Sequence, residues 1–223
     1  MEMSLSTAVT LAALLAAIVW PRLPSLLLLL LLAVVWVSLM FFFRDPERTG
    51  PYGAHLVLSP ADGRVLLVDE AEEREFLMGR SRRVGIFLSL LDVHVNRSPI
   101  SGLVEFVRHQ PGRFHQAFRP QASQENEHNL LGIVDGEDRV LVKQIAGILA
   151  RRVVCRVRPG DRLTAGERFG LIKFGSRVEV YLPYQYEICV RHDDRVKAGV
   201  TVIARCPQAA ASLLPGAQKG SNG

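Results

Sequence analysis

Residues 171–183 read LIKFGSRVEVYLP, two short apolar runs joined through Phe174-Gly175-Ser176-Arg177. The apolar positions suit half-buried strands, so Gly175-Ser176 is either a bend or a place where the chain does chemistry on its own backbone. Other polar groups also sit in apolar context. SPADGRV (59–65) carries Asp62 in a turn, and LDVHVNRSPISG (91–102) carries His94, Asn96 and Arg97 at the end of an apolar strand. ENEHN (125–129) carries His128. Each has an ordinary reading as well: aspartate before glycine forms turns, and a lone histidine can be a satisfied core residue. The sequence lacks a phosphate-binding P-loop, an HExxH zinc motif, a GxGxxG dinucleotide motif and a GxSxG elbow.

Short β-type runs must position these groups. They fall at 55–58, 64–68, 83–90, 103–108, 139–147, 151–158 and 199–205, punctuated by Gly, Pro and Asp, with no long amphipathic helix between them. The pattern predicts a mainly β fold, a compact antiparallel domain over 55–208. RPGDRLTAGERFG (158–170) reads as a hairpin corner, RDPERTGPYG opens a turn-rich linker over 44–54, and 209–223 reads as a disordered tail.

The chain before residue 44 has a different character. Residues 6–20 and 25–43 are two uncharged, mostly apolar stretches separated by PRLP (21–24). A membrane-spanning helix needs about 20 apolar residues, so the second stretch is long enough and the first slightly short. The prolines predict a break at 21–24, which makes 1–43 a transmembrane or re-entrant helical hairpin. No basic region precedes the first stretch and no small-residue cleavage site follows Phe43, which disfavours a cleaved signal peptide. Arg44 and Arg48 follow the second stretch against Arg22 alone in the connector, so the positive-inside rule puts the β domain on the cytoplasmic side of the inner membrane.

The net charge of +5 is mild, and arginines alternating with apolar residues, as in RRVVCRVRPGDR (151–162), read as solvated strand faces. Aromatics make up 7% of the chain with no basic-aromatic stripe, which argues against nucleic acid as a partner. Cys155, Cys189 and Cys206 are widely spaced without a CxxC pair, so neither a disulfide framework nor a metal site is expected.

Taken together, SPADGRV, LLDVHVNRSPISG, PGRFHQAFRP, SQENEHN, VKQIAGILARR and FGSRVEVYLP follow the order and spacing of a known family. Over about residues 40–205 the chain resembles the phosphatidylserine decarboxylases, and FFFRDPER after the apolar segment resembles their short membrane-bound form. The resemblance implies a proenzyme that cuts its own Gly175–Ser176 bond. The cut leaves a pyruvoyl group at 176 and a heterodimer of the two products. It further implies a phospholipid substrate in the membrane, phosphatidylserine, converted to phosphatidylethanolamine. The pyruvoyl ketone forms a Schiff base with the substrate amine in place of pyridoxal phosphate, for which the sequence suggests no site. His94 matches the family's catalytic histidine and Asp62 the aspartate of its SPxDG motif. Longer bacterial members carry a second histidine three residues after the first, where this chain has Arg97. The maturation base is therefore open among His94, His128 and Asp62, and Arg97, with Asn96 and His128 beside it, becomes a candidate for holding substrate phosphate or carboxylate. A homo-oligomer is left open.

One other reading competes. Residues 142–172 also resemble half of a lipoyl- or biotinyl-type barrel sandwich, which would make the protein a membrane-tethered carrier without catalysis. No lysine occupies the carrier position at a hairpin tip.

Overall fold

The protein is described by a computed structural model covering residue 10 and residues 23–53, 55–148, 152–172 and 175–206. Two units make up the chain, residues 1–44 and 45–223.

In the first unit, helix α1 runs Leu23–Phe42 with a mean hydropathy of 2.8 and no buried residue. Its 20 residues rise about 30 Å, the thickness of a bilayer's hydrocarbon, so the helix is long and apolar enough to cross one. Pro24 sits in the first turn, where its missing N–H breaks no helical bond. At the other end the Arg44 guanidinium donates to the Phe41 carbonyl at 2.8 Å, a cation at the negative end of the helix dipole. The first apolar stretch, 6–20, and the tail, 209–223, lie outside the described residues apart from Thr10.

The second unit is mainly β. Among the described residues fourteen strands follow in order, with one short helix: β1 (Leu56–Leu58), β2 (Gly63–Glu73), β3 (Gly79–Leu88), β4 (Val95–Arg97), β5 (Gly102–Gln110), α2 (Ala122–Glu125), β6 (His128–Asp135), β7 (Asp138–Ile145), β8 (Val153–Cys155), β9 (Arg162–Leu163), β10 (Arg168–Ile172), β11 (Ser176–Pro183), β12 (Glu187–Ile188), β13 (Arg195–Val196) and β14 (Val202–Arg205). A curled eight-stranded sheet has the order β13-β2-β3-β11-β7-β6-β5-β9, and two three-stranded sheets, β1-β14-β12 and β4-β10-β8, complete the unit. Every strand pairing is antiparallel.

Strand β11 lies at the centre of the large sheet. Alternation puts Ser176, Val178, Val180 and Leu182 on the core face and Arg177, Glu179 and Tyr181 on the other. Both faces are buried, where the pattern suggested half-burial. The reason is a lid of chain over the polar face: the Ser123 hydroxyl, on α2, donates to Glu179 Oε2 at 3.0 Å, and Lys143 Nζ donates to the Ser123 carbonyl at 2.6 Å.

The turns expected in 158–170 form, but they do not make one simple hairpin. Strand β9, between them, leaves to pair with β5, while β10 pairs with β8 and β4. Exposed Arg152, Arg156 and Arg158 bear out the solvated reading of that run.

The segment after α1 has no regular structure but is pinned by charge. Asp45 meets Arg97 at 2.9 Å and Arg168 at 2.6 Å, Glu47 meets Arg168 at 2.6 Å, and Arg48 meets Asp62 at 2.7 Å. Residues 45–48 form a strap held across the β unit.

Candidate functional site

Three chain segments converge on the Gly175–Ser176 bond. Ser176 opens β11 opposite Leu88, the last residue of β3. Strand β10 ends at Ile172, whose N–H donates to the His94 carbonyl at 3.2 Å, so the backbone of His94 is fixed to the strand that leads into the bond. The end of β7 supplies Ala146 and Gly147. Asn126 holds this last segment by donating to the Ala146 carbonyl at 2.7 Å, and the Ala146 N–H donates to the Glu127 carbonyl at 2.9 Å.

The bond itself is unusual at both residues. Gly175 has φ +62°, left-handed backbone that costs an L-residue about 1–2 kcal/mol and glycine almost nothing. Ser176 is fully buried, and its Oγ has no hydrogen-bond partner among the described residues. An orphaned buried hydroxyl forfeits about 1–3 kcal/mol, a cost that a packing serine would not incur without reason. Here the hydroxyl belongs to the residue that follows the left-handed glycine.

Space around the Gly175 carbonyl comes from Gly147. A Cβ on Gly147 would collide with the Gly175 carbonyl oxygen, although its backbone lies outside the left-handed region and could accommodate alanine. Gly147→Ala is therefore expected to fold but to mature at least about tenfold more slowly, because the carbonyl must shift. The time course of chain cutting on a denaturing gel, beside a melting curve, checks this; normal cutting would show that the contact does not position the bond.

The other candidates divide clearly. His94 is 5% exposed, and its backbone is tied to the scissile segment. Both carboxylate oxygens of Asp62 accept from Arg48 at 2.7 Å, and Oδ1 also accepts from the Ala198 N–H at 2.8 Å. The Arg97 guanidinium donates to Asp45 Oδ1, the Pro46 carbonyl and the Gly166 carbonyl at 2.9–3.0 Å. Asn96 accepts from Gln144 Nε2 at 2.8 Å. His128 stands opposite Ile145, which stands opposite Arg177, so its Cα is about two strand spacings, roughly 10 Å, from β11.

His128 Nδ1 lies 2.8 Å from the Asn126 carbonyl, a geometry in which Nδ1–H donates and Nε2 is left basic. Burial, and then the Lys143 ammonium, push its pKa below the ordinary histidine value. A depressed folded pKa gives stability that is present above the unfolded value of about 6.5 and is lost as pH falls through the folded one. Urea midpoints of the wild type should therefore drop between pH 7.5 and pH 5 by more than those of His128→Gln. Equal drops would place the acid sensitivity elsewhere.

Several site residues escaped the sequence reading. Gln144 stands opposite Val178, on the face that Ser176 shares, and joins Asn96 to Asn129 across β4, β7 and β6. On the other face Glu179, fully buried, pairs with Arg177 at 2.5 Å and accepts from the Tyr181 hydroxyl at 2.6 Å. Burial, reinforced by the Glu179 carboxylate, raises the Tyr181 pKa, keeping it a donor. The available signal was an acid between valines in a central strand, which cannot stay buried without a partner.

A cavity of about 450 Å³ opens beside the bond, lined by Phe87, Leu90, Leu91, Phe118, Ile148 and Gly175 among others. As for metals, one described cluster groups suitable donors: ligand atoms of His55, Asp138 and Cys206 lie within 4.8 Å of one another. Its Asp138 already accepts from the Tyr186 hydroxyl.

A buried serine hydroxyl with no partner among the described residues, directly after a left-handed glycine, is placed to attack its own backbone, and the comparisons point the same way. The family model described as phosphatidylserine decarboxylase matches residues 38–204. A phosphatidylserine decarboxylase proenzyme of Symbiobacterium thermophilum is 50% identical over 202 residues, covering 85% of this chain and 94% of its own. Proenzymes of the same name from Carboxydothermus hydrogenoformans and Solidesulfovibrio magneticus are each 47% identical, covering 79% and 74% of this chain and 83% and 77% of their own. The carrier reading of 142–172 is not supported: that run is divided between two sheets, and the similarity extends through the whole β unit. The chain belongs to the phosphatidylserine decarboxylase family.

Proposed function

We propose that the protein converts phosphatidylserine to phosphatidylethanolamine at a pyruvoyl group made from its own Ser176. The observation that carries the proposal is the buried Ser176 Oγ, with no partner among the described residues, directly after left-handed Gly175. Ser176 Oγ attacks the Gly175 carbonyl carbon and the C–N bond breaks, turning the peptide into an ester with a free amine at 176. Loss of the α-proton of 176 expels the Gly175 carboxylate and leaves dehydroalanine. Its tautomer takes up water and releases ammonia, giving the ketone.

The residues present fit such a group, since the hydroxyl that would be consumed makes no hydrogen bond among the described residues. A ketone at 176 supplies an electron sink for the α-carbon as carbon dioxide departs. Everything else falls to the chain. Buried His94 is assigned the proton delivered to the substrate α-carbon. Asp62 is assigned to positioning: it grips Arg48 and the Ala198 N–H and so fixes the strap whose Asp45 and Pro46 meet Arg97, the last residue of β4. Arg97, with its donors on Asp45, Pro46 and Gly166, holds the same strap from the other side. Products 1–175 and 176–223 stay together because β11 is hydrogen-bonded between β3 and β7 on both sides.

Helix α1 supports membrane anchoring, and Arg44 at its end supports a cytoplasmic β unit. Deleting residues 1–43 should leave self-cutting intact. Activity on vesicles should fall sharply and activity on short-chain substrate much less, because the anchor raises local substrate concentration without touching the reaction. Equal losses would show that the segment supports the catalytic fold. The function itself is tested by incubating the purified full chain with phosphatidylserine vesicles and resolving the headgroups. Phosphatidylethanolamine and carbon dioxide are expected in equal amounts, and no turnover by a cut chain would overturn the proposal.

A further inference from the structure

The rim of the cavity at the Gly175–Ser176 bond is unusually apolar. Leu90 is 48% exposed, Leu91 71%, Phe118 52% and Ile148 53%. They come from three separate segments: the β3–β4 loop, the loop before α2 and the loop after β7. Among the described residues none that lines this cavity is charged, in a chain where 22% are.

The two leucines are the clearest anomaly. Ser89 to Asp92 form a closed turn: the Ser89 N–H and hydroxyl donate to Asp92 Oδ2 at 2.8 and 2.7 Å, and the Asp92 N–H donates back to the Ser89 carbonyl at 3.1 Å. Leu90 and Leu91 occupy the tip, where turns ordinarily carry Gly, Asn, Asp or Pro. A tight turn that presents two leucines to solvent leaves much of their apolar surface uncovered in the folded unit.

We infer that this rim is an acyl-chain subsite, meeting the hydrocarbon of the lipid substrate as its headgroup reaches residue 176. The inference rests on the decarboxylase reading above and adds to it the residues that recognise the apolar end of the substrate. Gly175 lines this cavity, so the cavity reaches one side of the scissile bond. A headgroup entering here must leave its glycerol and acyl chains at the mouth, and Leu90, Leu91, Phe118 and Ile148 stand there. An aqueous serine ester would find no charged partner among the described residues of this mouth, whereas hydrocarbon would cover all four side chains.

The test uses the full chain and two substrates: phosphatidylserine in vesicles, and a short-chain phosphatidylserine kept below its micelle concentration. In Leu90→Ser/Leu91→Ser the ratio of vesicle to soluble kcat/KM should fall about tenfold, the scale expected when two leucines lose partial burial. Leu90→Phe/Leu91→Phe should keep the ratio. Chain cutting is followed in every sample, and light scattering in detergent reports particle size. An unchanged ratio in the serine variant would overturn the inference. So would equal losses on both substrates, which would make the leucines supports of the reaction centre. A change of particle size would likewise overturn it, making the rim a contact between two copies. Turnover of neither substrate by the cut wild type would instead remove the parent reading.

Discussion

Ser176→Ala is expected to remain one uncut chain with no decarboxylase activity. Only the hydroxyl of residue 176 can start the acyl shift at the Gly175 carbonyl, and without the cut no ketone forms at 176. The variant should fold as well as the wild type, since the Oγ makes no hydrogen bond among the described residues; removing a buried, unsatisfied hydroxyl is neutral or mildly stabilising. This separates a chemical effect from a structural one, which few catalytic substitutions allow. Ser176→Cys should cut slowly, because a thiol can make the same shift. A denaturing gel, a melting curve and a headgroup assay on one preparation are sufficient. A Ser176→Ala chain that still decarboxylates would place the electron sink elsewhere.

His94→Ala should lose roughly 10²–10⁴-fold in turnover, the range for removing a positioned general acid or base. His94 lies in a buried setting and its backbone is held by the strand leading to the scissile bond, so alanine also leaves a void. His94→Gln keeps most of the volume, and a comparable loss in both variants would assign the effect to proton transfer. Whether the variants still cut decides the second role. Cutting without turnover confines His94 to decarboxylation. Failure of both, in a folded chain, makes it the maturation base as well, a position that Asp62 is poorly placed to fill while Arg48 holds both its oxygens. Near-normal turnover would reduce His94 to a packing residue.

Much of this site was legible as motif and little of it as geometry. The Gly-Ser pair stood out because it interrupts an apolar run, and α1 because twenty apolar residues have few other uses. Strand β11 was harder. Arg177, Glu179 and Tyr181 alternate with Val178 and Val180 as in a half-exposed strand, and only tertiary structure covers the polar face with Ser123 and its neighbours. Strand β6 was hidden because the polar cluster ENEHN runs straight into HNLLGIVD, blurring the start of the apolar run. Arg97 looked like a substrate ligand by type; its partners Asp45 and Pro46 lie over fifty residues away in sequence, in a stretch with only turn signals. Gly147 was visible within VKQIAG, but nothing local says that its missing side chain makes room for a carbonyl twenty-eight residues on. Periodicity reports which face a residue takes, while what covers that face is a long-range fact.

Intact-mass analysis of the purified full-length chain tests the central claim most directly. The account predicts two species, residues 1–175 and 176–223, the smaller lighter by one ammonia than a serine-started peptide, closed to N-terminal sequencing and reactive toward a carbonyl reagent. A single species of full mass in a preparation that decarboxylates phosphatidylserine would contradict it.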